Sequence, residues 1–226
     1  MNSAARFVNP TVTRVLPFVA YVAFLPLGNL VAGMAPEFDI RWLYAIQVGL
    51  VAVLLIAFSP GYLELRVFGS PSTRDAIIAV ATGAAVFVLW INLDSPWLTM
   101  GQSAGFDPSR PDGSIDIALA IVRVAGAALV VPVMEELFWR SFIARWIDGG
   151  DFLAVQPGSI SIKAVLISSL LFGVEHFLWF AGVLAGLAYC AVYRKTGNLW
   201  VPIIAHAVTN AMLGTWILHT RNWQFW

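Results

Sequence analysis

Residues 117–146 read IALAIVRVAGAALVVPVMEELFWRSFIARW. The first eighteen of them carry one charge, Arg123. The whole run exceeds the roughly 20 apolar residues that cross a bilayer. While still apolar it delivers Glu135-Glu136-x-x-x-Arg140. Ionisable side chains are expensive in hydrocarbon, so within a membrane segment they are functional candidates by default. Read alone, Met134 to Arg145 is also a plain interfacial helix end with a Glu–Arg pair.

Composition extends the reading to the whole chain. Of 226 residues, 59% are hydrophobic and 12% charged. A soluble domain averages about 25% charged residues, so the deficit points to membrane. Apolar stretches near spanning length fall at about 14–34, 42–59, 75–93, 117–146, 162–177, 180–194 and 199–219. The expected fold is all-α, a polytopic membrane helix bundle of about seven transmembrane helices, eight if the fourth stretch divides. The fifth and sixth are short and nearly continuous, which suits a hairpin or a broken pair. The whole of 1–226 reads as one integral membrane domain, with N-terminal helices in 1–110 and a catalytic core in 111–220. Pro17, Pro26 and Gly28 interrupt the first stretch, and further spans follow, so it is read as an uncleaved helix rather than a signal peptide.

Net charge is zero and no basic stripe suggests nucleic acid. Cys190 is the only cysteine, so no intrachain disulfide is possible. Lys and Arg distribution sets orientation. Arg6, Arg14, Arg66, Arg74, Arg140, Arg145, Lys163, Arg194 and Lys195 fall on one side, and Arg41, Arg110 and Arg221 on the other. Nine against three places the N-terminus in the cytoplasm and the C-terminus outside. The expected location is a bacterial inner (cytoplasmic) membrane. The loop from Asp94 to Asp116 holds Asp107 and Asp112 without calcium-loop spacing and reads as solvated. Trp42, Trp97, Trp200, Trp223 and Trp226 sit at span ends, as interfacial anchors do. Gly182-x-x-x-Gly186 marks a close helix contact within the bundle.

Two further patterns join the first: Phe172-x-x-x-His176 and His206-x-x-x-Asn210. Glu135 and Glu136 point about 100° apart on a helix. Glu136 and Arg140 share one face with the acid leading. Arg140 can therefore neutralise Glu136 and leave Glu135 free for a cavity. A carboxylate screened from water is a stronger base than one in solution. Pro132, three residues earlier, can kink the helix and admit water. Phe172 lies one turn from His176 and can wall the cavity and fix the imidazole. Glu175 beside it reads as a partner of His176, an interfacial residue or a rival carboxylate. Gly197-Asn198 reads as a turn, and Pro202 is tolerated in the first turn of the last helix. His206 and Asn210 then share a face about 5–6 Å apart. Two neighbouring donors on a rigid helix suit an oxyanion hole. A lone membrane histidine, or a His–Asn pair, also serves as a helix–helix contact.

In order and spacing the three patterns resemble the CPBP family of intramembrane proteins. It includes CAAX-processing proteases and bacteriocin-processing or immunity-related members. The resemblance covers about 110–215 and rests on Glu135, Glu136 and Arg140 (EExxxR), Phe172 and His176 (FxxxH), and His206 and Asn210 (HxxxN). The lead-in Tyr193-Arg-Lys-Thr-Gly-Asn-Leu-Trp-Val-Pro is also similar. The resemblance implies a glutamic-type intramembrane endopeptidase without cofactor. By position, Glu135 is the base, His176 holds the water, and His206 with Asn210 stabilises the oxyanion. Glu136, Arg140 and Phe172 support them. The implied partners are the bilayer and a membrane-anchored or C-terminally tailed protein, lipidated or not. Glu175 and a short connection after His176 depart from the pattern. Three alternatives stay open: a non-catalytic scaffold or immunity-type protein, a proton-coupled transporter, and a metal site from Glu135, His176 and His206. Without HExxH, metal is the weaker reading, and no internal repeat supports a transporter.

Overall fold

The computed structural model describes residues 9–66, 69–101, 103 and 105–226, so Arg6 lies outside the described residues. These form helices and loops, with no strand among the described residues beyond an isolated bridge between Ser109 and Ile115. The helices are α1 (Pro10–Ala23), α2 (Leu27–Met34), α3 (Leu43–Phe58), α4 (Leu63–Arg66) and α5 (Thr73–Trp90). They continue with α6 (Ile117–Trp146), α7 (Ile162–Val174), α8 (Trp179–Thr196) and α9 (Trp200–Thr220). Four helices are long and apolar enough to cross a bilayer: the run Ile40–Gly61 around α3, then α5, α6 and α9.

The expected fourth stretch does not divide; α6 runs unbroken. The first stretch divides instead. Pro26 cannot donate a backbone hydrogen bond, and the chain turns there between α1 and α2. Ile56, Ile77, Ile121, Leu129 and Ile162 are each more than 60% exposed. Such an apolar girdle would be a liability in water and is the expected surface in lipid.

The fifth and sixth stretches form a tight antiparallel hairpin, α7 and α8. Gly173 lies against Gly182, and Gly186 against Ser169. The GxxxG spacing thus serves packing inside the bundle. A Cβ on Gly173 would fall on Val183 Cγ2 and lie 2.7 Å from the carbonyl of Trp179. Gly173→Ala is therefore expected to destabilise by about 1–3 kcal/mol through overpacking. Gly49→Ala, with open space around it, should be neutral or slightly stabilising. Melting temperatures in detergent compare the two. Equal melting would show that the hairpin tolerates separation.

α9 is the central helix. Thr209 Oγ1 donates to the carbonyl of Gly83 on α5 at 2.9 Å, and Gly214 meets Val124 on α6. Gly126 of α6 lets Tyr44 and Val48 of α3 approach. At the other end of the bundle Arg14 is fully buried. It donates to both carboxylate oxygens of Glu64, at 2.9 and 2.7 Å, while Ser141 on α6 bonds the same carboxylate. α1 and α4 are thereby tied to the end of α6.

Arg14, Arg140 and Arg145 are all 5% exposed or less. They act inside the protein, so they drop out of the orientation count, which becomes six against three. Trp200 also differs from its reading as a lipid anchor. Its indole donates to the carbonyl of Leu65 at 2.9 Å.

Candidate active site

Two wide turns shape α6 on either side of the paired glutamates. Gly126–Val130 and Leu137–Ile143 are π-helical, and Val131–Glu136 between them is α-helical with Pro132 near its start. Single π turns inside α-helices recur at functional sites, because they rotate the following residues out of register. The sequence signalled only the proline.

Glu135 and Glu136 point in different directions. Glu136 is fully buried. Its Oε2 pairs with Arg140 Nε at 3.1 Å, as an ion pair rather than an aligned hydrogen bond. Its Oε1 accepts from His206 Nδ1 at 3.0 Å. A carboxylate only accepts, so the Nδ1 proton is fixed and Nε2 is the nitrogen turned toward Glu135, 3.9 Å from its Oε2. That Oε2 is buried and makes no hydrogen bond among the described residues. Arg140 is held by more than charge. Its guanidinium lies 4.3 Å from the ring centre of Phe172 and 5.3 Å from that of Tyr189, each a cation–π contact.

His176 lies in the turn joining α7 to α8. Its Nδ1–H donates to the carbonyl of Phe172 at 2.7 Å. The carbonyl cannot donate, so Nε2 keeps its lone pair. Phe172 and Trp90 pack against the imidazole, with ring centres 4.7 and 5.4 Å away. The short connection after His176 is held from outside by Met100 N–H, which donates to Phe177 O at 2.8 Å.

Glu175 faces inward, and the indole of Trp139 donates to its Oε1 at 3.0 Å. Ligand atoms of Glu135, Glu175 and His176 all lie within 4.8 Å of one another. These three, rather than Glu135, His176 and His206, are the residues that could hold a metal ion.

Glu135, Glu175, His176, His206 and Asn210 all line one cavity of about 400 Å³. Asn210 Nδ2 donates to the carbonyl of Ala127 at 2.8 Å. That carbonyl lies in the first π turn, and a second amide hydrogen remains available. Tyr189 stacks on His206 at 5.0 Å and donates to Thr209 at 2.7 Å. Tyr189, Trp139 and Trp90 belong to none of the three patterns. Trp139 had a faint signal, three residues after Glu136 on the same helix. Tyr189 and Trp90 had none, because they reach the site from other helices.

Residues 117–212 match the family of type II CAAX prenyl endopeptidases described as Rce1-like. YdiL of Bacillus subtilis (strain 168), proposed to be a membrane peptidase, is 26% identical over 115 residues. The match covers 48% of this chain, and the chain spans 43% of that relative's length. No solved structure matches the chain significantly.

Proposed function

From the match of residues 117–212 to the CAAX prenyl endopeptidase family, we propose that the protein is an intramembrane endopeptidase working by a glutamate-activated water. One observation carries the reading. Glu135, with a buried oxygen that makes no hydrogen bond among the described residues, shares a cavity with two histidines and an asparagine, the four drawn from two helices and a turn.

Glu135 and His176 Nε2 are both acceptors. A water between them donates one hydrogen to each, which turns its oxygen lone pair toward a peptide carbonyl. The water oxygen bonds to the carbonyl carbon as its proton passes to Glu135. The carbonyl oxygen becomes an oxyanion, accepting from the free N–H of Asn210 and from Nε2–H of His206 in its doubly protonated form. The C–N bond then breaks, and Glu135 delivers its proton to the leaving amine. Glu136 and Arg140 hold His206, Phe172 holds His176, and Trp139 turns Glu175 inward as a second proton carrier.

The proposed substrate is a membrane-anchored or C-terminally tailed protein, lipidated or not. The proposed setting is a bacterial cytoplasmic membrane with the N-terminus in the cytoplasm. Reconstituted full-length protein and membrane-tailed proteins in heavy-oxygen water test the reading. One heavy oxygen should enter each newly formed carboxylate.

A second reading has its own observation, the close grouping of Glu135, Glu175 and His176. A bound divalent ion there would supply an activated water. Chelation separates the two. Under the glutamate reading, activity survives EDTA, and any phenanthroline inhibition is not reversed by zinc. Loss on chelation, restored by stoichiometric zinc, would establish the metal reading instead.

A further inference from the structure

Every fourth residue of α6 from Arg123 through Ala127 and Val131 to Glu135 lines the same cavity. Four residues overshoot a regular α-helical turn by about 40°, so three such steps would swing Arg123 about 120° away from Glu135. The π turn at Gly126–Val130 absorbs about one extra residue and brings Arg123 back to Glu135's face. The helix rise sets the two about 18 Å apart. One cavity therefore holds a candidate base near one end and a guanidinium near the other.

That guanidinium has no ion pair among the described residues, and its buried Nε makes no hydrogen bond there. Its surroundings are ring faces, Tyr44 at 4.3 Å, Phe106 at 5.4 Å and Trp226 at 5.8 Å, with the neutral hydroxyls of Tyr21 and Tyr44 beside it. Rings favour a cation but accept none of its five N–H groups as a carboxylate would. The planar fork matches a carboxylate with two parallel bonds. Arg14 and Arg140 each have such an acid partner within the protein.

Resting on the peptidase reading, we propose that Arg123 binds the free C-terminal carboxylate of the substrate and so sets where the chain is cut. The terminal carboxylate is the one anion that every chain entering by its end must carry. An extended chain covers about 3.3–3.6 Å per residue, so the distance from Glu135 to Arg123 corresponds to roughly five residues. Arg123 is then a specificity-determining residue, selecting substrates by chain end rather than by sequence.

The test uses the full-length protein in nanodiscs with mixed apolar peptides in three pools. One has a free C-terminal acid, one is amidated, and one is amidated but carries a single acidic side chain. Bound peptide is measured on Glu135→Gln, and cleavage on the otherwise wild-type protein. The acid pool should bind about ten- to a hundredfold better than the amide pool, the range for a hydrogen bond to a charged group. Released fragments should cluster near about five residues. Arg123→Gln should erase the acid preference, and Arg123→Lys should keep part of it. Arg123→Lys also guards against a folding defect in the glutamine variant, which its melting curve would reveal. Equal binding of acid and amide overturns the proposal, as does an acid preference that survives Arg123→Gln. Equal binding of the acidic-side-chain pool, or displacement of the acid pool by an anionic phospholipid, overturns the C-terminal assignment. Acid-selective, Arg123-dependent binding with no cleavage of any pool would instead sink the peptidase reading and leave the carboxylate site standing.

Discussion

Glu135→Gln is expected to lower peptide hydrolysis by about 10²–10⁴-fold, the usual contribution of a general base. Membrane abundance and melting temperature should stay near wild type. The amide keeps the shape of the side chain, and its neighbours lose no hydrogen bond, because Glu135 Oε2 has no partner among the described residues. His176→Ala should behave similarly. Asn210→Ala should retain slight activity, since one oxyanion donor contributes about 10²–10³-fold. Glu175→Gln supplies the internal contrast. If Glu135 is the base, the Glu175 variant loses less, although the two carboxylates lie close together. The measurement is accumulation of an uncleaved membrane-tailed precursor, with each variant quantified in the membrane. Wild-type processing by Glu135→Gln at equal abundance would end the glutamate mechanism and return the chain to a scaffold role.

Arg140→Ala is expected to fail in a different way, losing stability as well as activity. It strands the fully buried Glu136. Breaking a buried pair by removing one partner typically costs about 3–5 kcal/mol. The same change removes the cation between the rings of Phe172 and Tyr189. Glu136 also accepts from His206 Nδ1, so loss of the arginine unsettles the proposed oxyanion donor. Thermal unfolding in detergent, measured beside activity, separates this from the Glu135 effect. The double variant Glu136→Gln with Arg140→Ala should recover part of the stability, because no charge is then left buried. A stable, inactive Arg140→Ala would show that the arginine acts on the chemistry rather than on the fold.

Much of this was visible in one dimension because helices make spacing geometric. Residues three or four apart share a face. Glu136 with Arg140, Phe172 with His176 and His206 with Asn210 could therefore be paired before any coordinates. The split between Glu135 and Glu136 followed from the 100° step. Length and apolar content marked the long helices, and the small residues of α8 marked a close contact. The boundary between α1 and α2 was less legible, since a proline inside an apolar run can kink a helix or end it.

What stayed hidden lies between helices or in a departure from regular helix geometry. Nothing in the string of letters tells that Trp139 binds Glu175, that Tyr189 covers His206, or that Glu136 reaches His206 across 70 positions of sequence. Glu175 had three open readings, and only packing turned it toward Glu135. Arg123 read as an uncounted charge in a span. It joins the cavity of Glu135 because a π turn re-phases α6. By itself the sequence determined an apolar helical bundle and which chemical groups share each helix face, because helix period and hydrocarbon solvation are local properties. The tertiary structure alone decided which faces meet, which nitrogen of each histidine is left for chemistry, and that Arg123 enters the cavity with no ion pair among the described residues. Those depend on contacts between residues far apart in the chain, where spacing carries no information.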